Sequence, residues 1–143
     1  MLLIPLLALF CLANPLQAQP APPFGRLTVR VDGLKAGKGN LVVKVFRKED
    51  DIFGPPWREK TMAATGPVLT VEFADLTCST YAIFAFQDLN ANGTLDHNWM
   101  HLPSEPLGWS NQWHFGLFTG MPTFEKTKFG FSQQHLEIAI SLR

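Results

Sequence analysis

The sequence predicts an all-β protein: an antiparallel Greek-key β-sandwich, prealbumin-like or immunoglobulin-like, with a long ordered loop after the fourth recognised strand. Three observations lead there. Five segments of strand length alternate apolar and polar residues or are apolar throughout. Clusters of Gly, Pro, Asp and Asn separate them. No long amphipathic helix is visible, and the length suits one domain of this architecture.

Composition narrows the function classes. The 143 residues carry 12 basic and 12 acidic side chains, for a formal net charge of zero. That balance, with no basic stripe, provides no field for nucleic acid or an anionic membrane. With 46% hydrophobic and 17% charged residues, the chain can build a core and does not read as disordered.

The elements follow in order. Leu2 to Ala13 is almost continuously apolar, too short to span a bilayer comfortably but suited to the core of a signal peptide. Leu16-Gln17-Ala18 offers a cleavage site after Ala18. No Lys or Arg precedes the apolar run, so its charge comes from the free amine, or the true start lies upstream. Phe10 before Cys11 argues against lipidation. The expected organisation is a signal peptide over 1–18, a short leader over 19–25 and a single sandwich domain over 26–143. The mature chain would then be periplasmic or extracellular, with no transmembrane anchor. Loss of Cys11 leaves Cys78 alone, so no internal disulfide forms and the core must supply the stability. Cys78 reads as a packed or half-exposed small residue rather than a nucleophile.

Within the domain, Arg26 to Asp32 places Leu27, Val29 and Val31 on one face. Leu41 to Arg47 is apolar on both faces except at Lys44 and is expected to be a central strand. Val68 to Ala74 points Leu69, Val71 and Phe73 inward, and Thr80 to Gln87 is dense in aromatic and aliphatic residues. Leu136 to Leu142 closes the chain with Leu136, Ile138, Ile140 and Leu142 on one face. Trp57 to Ala64 is the best helical candidate, and Phe124 to Lys128 suits a single helical turn. Tyr81, the only tyrosine, is expected to bond its hydroxyl to backbone a few residues upstream, as such tyrosines do in Greek-key sandwiches. Gly93 to Gln134 shows little alternation yet carries Trp99, Trp109 and Trp113, so it reads as an ordered excursion packed across the sandwich.

The most pointed chemistry lies in Asp88-Leu89-Asn90-Ala91-Asn92-Gly93-Thr94-Leu95-Asp96. Asp88, Asn90, Asn92 and Asp96 take relative positions 1, 3, 5 and 9, with Gly93 at the tight turn and the Thr94 carbonyl at position 7. Calcium takes six to eight oxygens about such a turn, and this is the first half of an EF-hand-type loop. The pattern breaks at Trp99, where a bidentate Glu belongs, and Glu105 is the nearest replacement. Asn and Asp are also turn formers in their own right, and Asn92-Gly93 is a strong reversal signal. A Ca²⁺ site and a purely structural turn therefore both stand.

The run Tyr81-Ala82 through Gln87-Asp88-Leu89-Asn90-Ala91-Asn92-Gly93 to Asp96 leads into Pro103-Ser104-Glu105-Pro106-Leu107-Gly108-Trp109-Ser110-Asn111. Pro122-Thr123-Phe124 follows later. Together these motifs resemble DUF2141, a bacterial family of uncharacterised exported proteins, across essentially the whole mature chain. The family pattern commonly has His where this chain has Gln87, and Phe where it has Trp109. Loss of that His weakens a catalytic-base role at this position. The resemblance implies export and a β-sandwich but supplies no reaction. The layout is also similar to prealbumin-like and carboxypeptidase-regulatory-like modules, which mostly bind or space; that likeness concerns fold alone.

Other constellations are weaker. His97 and His101 lie four apart, with His114 as a third zinc or copper ligand, but the Glu of a zincin helix is missing. Gly108-Trp109-Ser110-Asn111-Gln112 lacks the second Gly of a nucleophile elbow. Glu105 and Asp96 have no spacing that fixes them as a glycosidase pair. The expectation is therefore an exported, non-catalytic module of unknown role and partner, Ca-stabilised through Asp88, Asn90, Asn92, Thr94, Asp96 and Glu105. The alternative is a small-ligand or carbohydrate-binding protein that uses Trp99, Trp109 and Trp113 within Trp99–Phe118. Aromatics of that size serve equally well as a satellite core under the loop.

Overall fold

The computed structural model describes residues 24–143 other than 117 and 133. The expected signal peptide and most of the leader lie outside these residues. The described chain is nearly all β, in two sheets, an arrangement consistent with a β-sandwich. The strands are β1 (Phe24–Asp32), β2 (Asn40–Arg47), β3 (Arg58–Ala63), β4 (Val68–Thr77), β5 (Ser79–Asp88), β6 (Leu107–Trp109), β7 (Phe129–Phe131) and β8 (His135–Ser141). One short helix, α1 (Phe124–Thr127), precedes β7, with the Thr123 hydroxyl at its N-cap. The smaller sheet has the order β4-β1-β8, and the larger has β3-β2-β5-β6, with β7 also on β5.

The main core lies between the sheets. Leu27, Val29 and Val31 of β1 meet Leu41, Val43 and Val45 of β2 and Tyr81, Ile83 and Ala85 of β5. Each fully buried aliphatic side chain contributes about 1.5–3 kcal/mol of transfer free energy. The opposite side of the larger sheet is also apolar: Val42, Phe46, Ala82, Phe84, Phe86 and Trp109 form a second cluster. Two buried faces explain why β2 and β5 read as apolar throughout, and both are interior strands of their sheet. The excursion after β5 covers this second face, with Leu95, Trp113 and Phe124 packing on it.

Both lateral openings between the sheets are closed. On one side, Lys60 Nζ donates to the Glu72 carbonyl at 2.5 Å, and the Arg58 guanidinium donates to the Ala74 carbonyl. These cationic tips cap the otherwise unpaired edge of β4 and blunt it against association. On the other side, Leu107 and Arg143 exchange backbone hydrogen bonds of 3.2 and 3.1 Å, joining β6 to the end of the chain. The approach is so close that a Cβ on Gly108 would lie 2.7 Å from Ile140 Cγ2.

Tyr81 behaves as expected: buried, it donates its hydroxyl to the Thr77 carbonyl at 3.0 Å. Its ring stacks on Trp57 at 5.6 Å between centroids.

The structure corrects three expectations. Trp57 to Ala64 is not helical: Arg58–Ala63 is edge strand β3, paired antiparallel to β2. Pairing and the reach of Arg58 and Lys60 across to β4 outweigh the local helix propensity of a polar segment. The sheets are not wholly antiparallel, because β8 runs parallel to β1 from Arg26↔His135 to Asp32↔Ser141. The cause is where β7 delivers the chain: Phe131 pairs with Ser79, beside the Thr77 end of β4, which pairs with the start of β1. Cys78 is exposed rather than packed or half-exposed, since it falls in the single-residue step between β4 and β5.

Candidate functional site

The Asp/Asn loop leaves β5 directly. Asp88 is 1% exposed, and its two carboxylate oxygens accept the backbone N–H of Asn92 at 3.1 Å and of Gly93 at 2.7 Å. Asn90 Oδ1 accepts from Asn92 N at 3.1 Å, and Asn92 Oδ1 accepts from Thr94 N at 2.9 Å. Both amide groups then turn their Nδ2 to Asp96, at 2.6 Å from Asn90 and 3.0 Å from Asn92. Glu105 completes the arrangement from 16 residues away in sequence: Oε1 accepts from Leu89 N at 2.7 Å and Oε2 from Asp96 N at 3.1 Å. The predicted residues Asp88, Asn90, Asn92, Thr94, Asp96 and Glu105 are thus brought together in one hydrogen-bonded turn. Ala91 and Gly93 take left-handed φ values of 57° and 83° inside it. Its oxygens are occupied by donors of the loop itself, which also suits a structural turn.

Gln87, one residue earlier, has a task that sequence reasoning missed. It is fully buried, accepts Lys35 N–H at Oε1 (2.8 Å), and donates Nε2 to the carbonyls of Lys35 (2.9 Å) and Lys38 (2.6 Å). This amide ties the turn between β1 and β2 to β5. That turn passes so close that a Cβ on Gly39, at φ 59°, would lie 1.9 Å from the Asp88 carbonyl oxygen. A polar residue directly at the end of a run of Phe, Ala and Ile was the signal available in the sequence.

The three predicted ligand-binding tryptophans part company. Trp109 is core: 5% exposed, 4.5 Å from Phe84 between ring centroids and edge-on to Trp113 at 6.3 Å. Its indole Nε1–H is buried and has no acceptor among the described residues. Trp113 is half-buried and packs edge-on against Phe115. Trp99 is 87% exposed, on a turn whose Asn98 Oδ1 accepts from Met100 N and Leu102 N. A flat three-tryptophan platform is therefore absent.

What exists instead is a cleft of about 330 Å³ between the outer face of the larger sheet and the excursion. Its floor is Phe46, Phe84 and Trp109, and its rim includes Phe53, Leu102, Phe115 and Met121. Those four rim residues are all exposed, as are Met100 and Phe118 farther along the excursion. A contiguous apolar lip of this kind marks interaction or ligand sites in soluble proteins. His97 and His101 open onto the same cleft. Among the described residues no group of three or more His, Cys, Asp or Glu side chains is arranged to hold a metal.

Ser110 is buried, and its hydroxyl accepts Ile83 N–H at 2.8 Å and donates to the Thr127 carbonyl at 2.5 Å. It ties α1 to β5. Among the described residues no helix is long and apolar enough to cross a membrane.

Comparison with curated proteins yields no match, and comparison with solved structures yields none. A family model does match, over residues 29–139: DUF2141, described as an uncharacterized protein conserved in bacteria. The matched span runs from β1 into β8 and includes the Asp/Asn loop, Glu105 and the whole excursion, so the chain belongs to the DUF2141 family.

Proposed function

We propose that this protein is an exported, non-catalytic binding module, a Greek-key sandwich of prealbumin-like or immunoglobulin-like type that takes a small ligand in the cleft between its larger sheet and the excursion. The observation that carries the reading is the cleft itself: an aromatic floor fixed by the second core, bordered by exposed apolar residues. The Tyr81–Thr77 bond supports the Greek-key assignment. The non-catalytic reading is supported by the engagement of Ser110, Asp88, Asp96 and Glu105 with backbone and amide groups. The buried position of Trp109 supports a cleft over a stacking platform. Titration with amphiphiles and with oligosaccharides, read by tryptophan fluorescence and calorimetry, tests it. Saturable binding lost in Phe84→Ser, with the fold retained by circular dichroism, is the expected result. Absence of binding across both ligand classes overturns it.

A second reading concerns the loop. Asp88, Asn90, Asn92, Asp96 and Glu105 meet in one hydrogen-bonded turn, and rearrangement of these side chains around a Ca²⁺, with the Thr94 carbonyl as a further ligand, would pin the start of the excursion. Binding would require Asn90 and Asn92 to exchange their backbone donors for the ion. Thermal melting of chelator-treated protein with added calcium decides the matter. A rise in Tm supports the site, and no rise at millimolar calcium removes it.

A further inference from the structure

The cleft is one-sided in charge. Lys44, His97 and His101 line it, and no Asp or Glu does. Lys44 is the one polar residue between Leu41 and Phe46 of β2, and it sits on the outer face between Val42 and Phe46. Its position in the sheet is opposite Phe84, on the cleft floor. The ammonium lies 5.7 Å from the centre of the Phe86 ring. Its ionic partner is Glu59 of β3, at 3.7 Å, with the two side chains 25% and 43% exposed. At 3.7 Å the pair is longer than a normal charge-assisted hydrogen bond, and an ammonium has three donors to distribute. An apolar chamber with a cation at its wall and no acid suits a ligand with an apolar body and one negative headgroup.

We infer that the cleft binds a monoanionic amphiphile, a carboxylate with an aliphatic or aromatic body, whose headgroup pairs with Lys44 while its body lies on Phe46, Phe84 and Trp109. This deepens the cleft reading above and rests on it. The apolar body supplies area-dependent affinity. The charge-assisted hydrogen bond from Lys44 supplies selectivity for the anion. His97 and His101, both exposed and lining the same cleft, offer further N–H donors.

The test uses three probes with the same tail: decanoate, decanol and decylamine, each below its micelle threshold, on the full protein. Decanoate is expected to bind at least about tenfold more tightly than decanol, the loss corresponding to one charge-assisted hydrogen bond. Decylamine is expected to bind most weakly. Lys44→Met keeps the apolar stem and should bring decanoate down to the level of decanol; Lys44→Arg should restore most of the preference. Glu59→Gln lies outside the cleft wall and releases Lys44 from its competitor, so it should tighten decanoate and leave decanol unchanged. Equal binding of decanoate and decanol, or insensitivity of decanoate to Lys44→Met, overturns the anion assignment while the cleft stands. Failure of all three probes overturns the amphiphile inference, and failure of the oligosaccharides as well overturns the cleft reading itself.

Discussion

The carboxylate of Glu105 accepts the backbone N–H of Leu89 at 2.7 Å, and its second oxygen accepts that of Asp96 at 3.1 Å. One buried side chain thus clasps both ends of the Asp/Asn turn and fixes where the excursion leaves β5. Glu105→Ala would leave two backbone donors without acceptors. Each costs about 1–3 kcal/mol when water cannot replace the partner, so a loss of roughly 2–6 kcal/mol is expected in urea denaturation. Glu105→Gln keeps one acceptor and should fall between. Wild-type stability for Glu105→Ala would show that the clasp is mechanically idle.

Gln87 is expected to matter as much, for a different reason. Its amide satisfies one N–H and two carbonyls of the turn between β1 and β2. Gln87→Leu preserves volume and removes all three bonds, for an expected loss of about 2–3 kcal/mol. Hydrogen exchange should show Lys35 N–H losing protection first. Uniform loss across the sheet instead would assign the effect to packing.

Removing the Tyr81 hydroxyl tests the link between β4 and β5. Tyr81→Phe retains the stack on Trp57 and loses the bond to the Thr77 carbonyl. About 0.5–1.5 kcal/mol of stability should go with it, with an unchanged denaturant slope. A changed slope would point to a looser native or unfolded state rather than to one lost bond.

Gly39→Ala should be the most damaging small substitution. The new methyl would sit 1.9 Å from the Asp88 carbonyl oxygen, at a φ of 59° that alanine resists. A loss of more than about 3 kcal/mol is expected, seen as poor folding. Gly37→Ala serves as the control: it also has positive φ, but nothing lies within 4 Å of its Cβ.

Acid stability should have a contribution from Asp50. The Arg47 side chain, hydrogen-bonded to it at 3.0 and 3.2 Å, holds its carboxyl below the ordinary value of 3.8. A depressed folded-state pKa means the stabilisation is complete above the unfolded value and fades as pH falls through the folded one. The gap in stability between wild type and Asp50→Asn should therefore be constant near neutrality and close below about pH 4. A gap that persists at pH 2 would assign Asp50 a role other than charge.

Much of this molecule was legible in the chain. Period-two alternation located β1, β4 and β8, because one buried face imposes that period regardless of the partner strand, and continuous apolar runs located β2 and β5, which are buried on both faces. The single helical turn expected over Phe124 to Lys128 is α1, and the lone tyrosine was recognisable from the strand it opens. The loop residues were also identifiable, since Asx chemistry acts over a few residues. What the sequence could not determine depends on distant partners. β3 forms only because β2 lies beside it and β4 is within reach of Arg58 and Lys60. The parallel course of β8 follows from where β7 meets β5. Trp99 and Trp109, alike in composition and ten residues apart, end at opposite extremes of exposure. Which one becomes floor and which one lip is decided by the fold of the excursion over the second core, because burial depends on the area a neighbour covers and not on the residue alone.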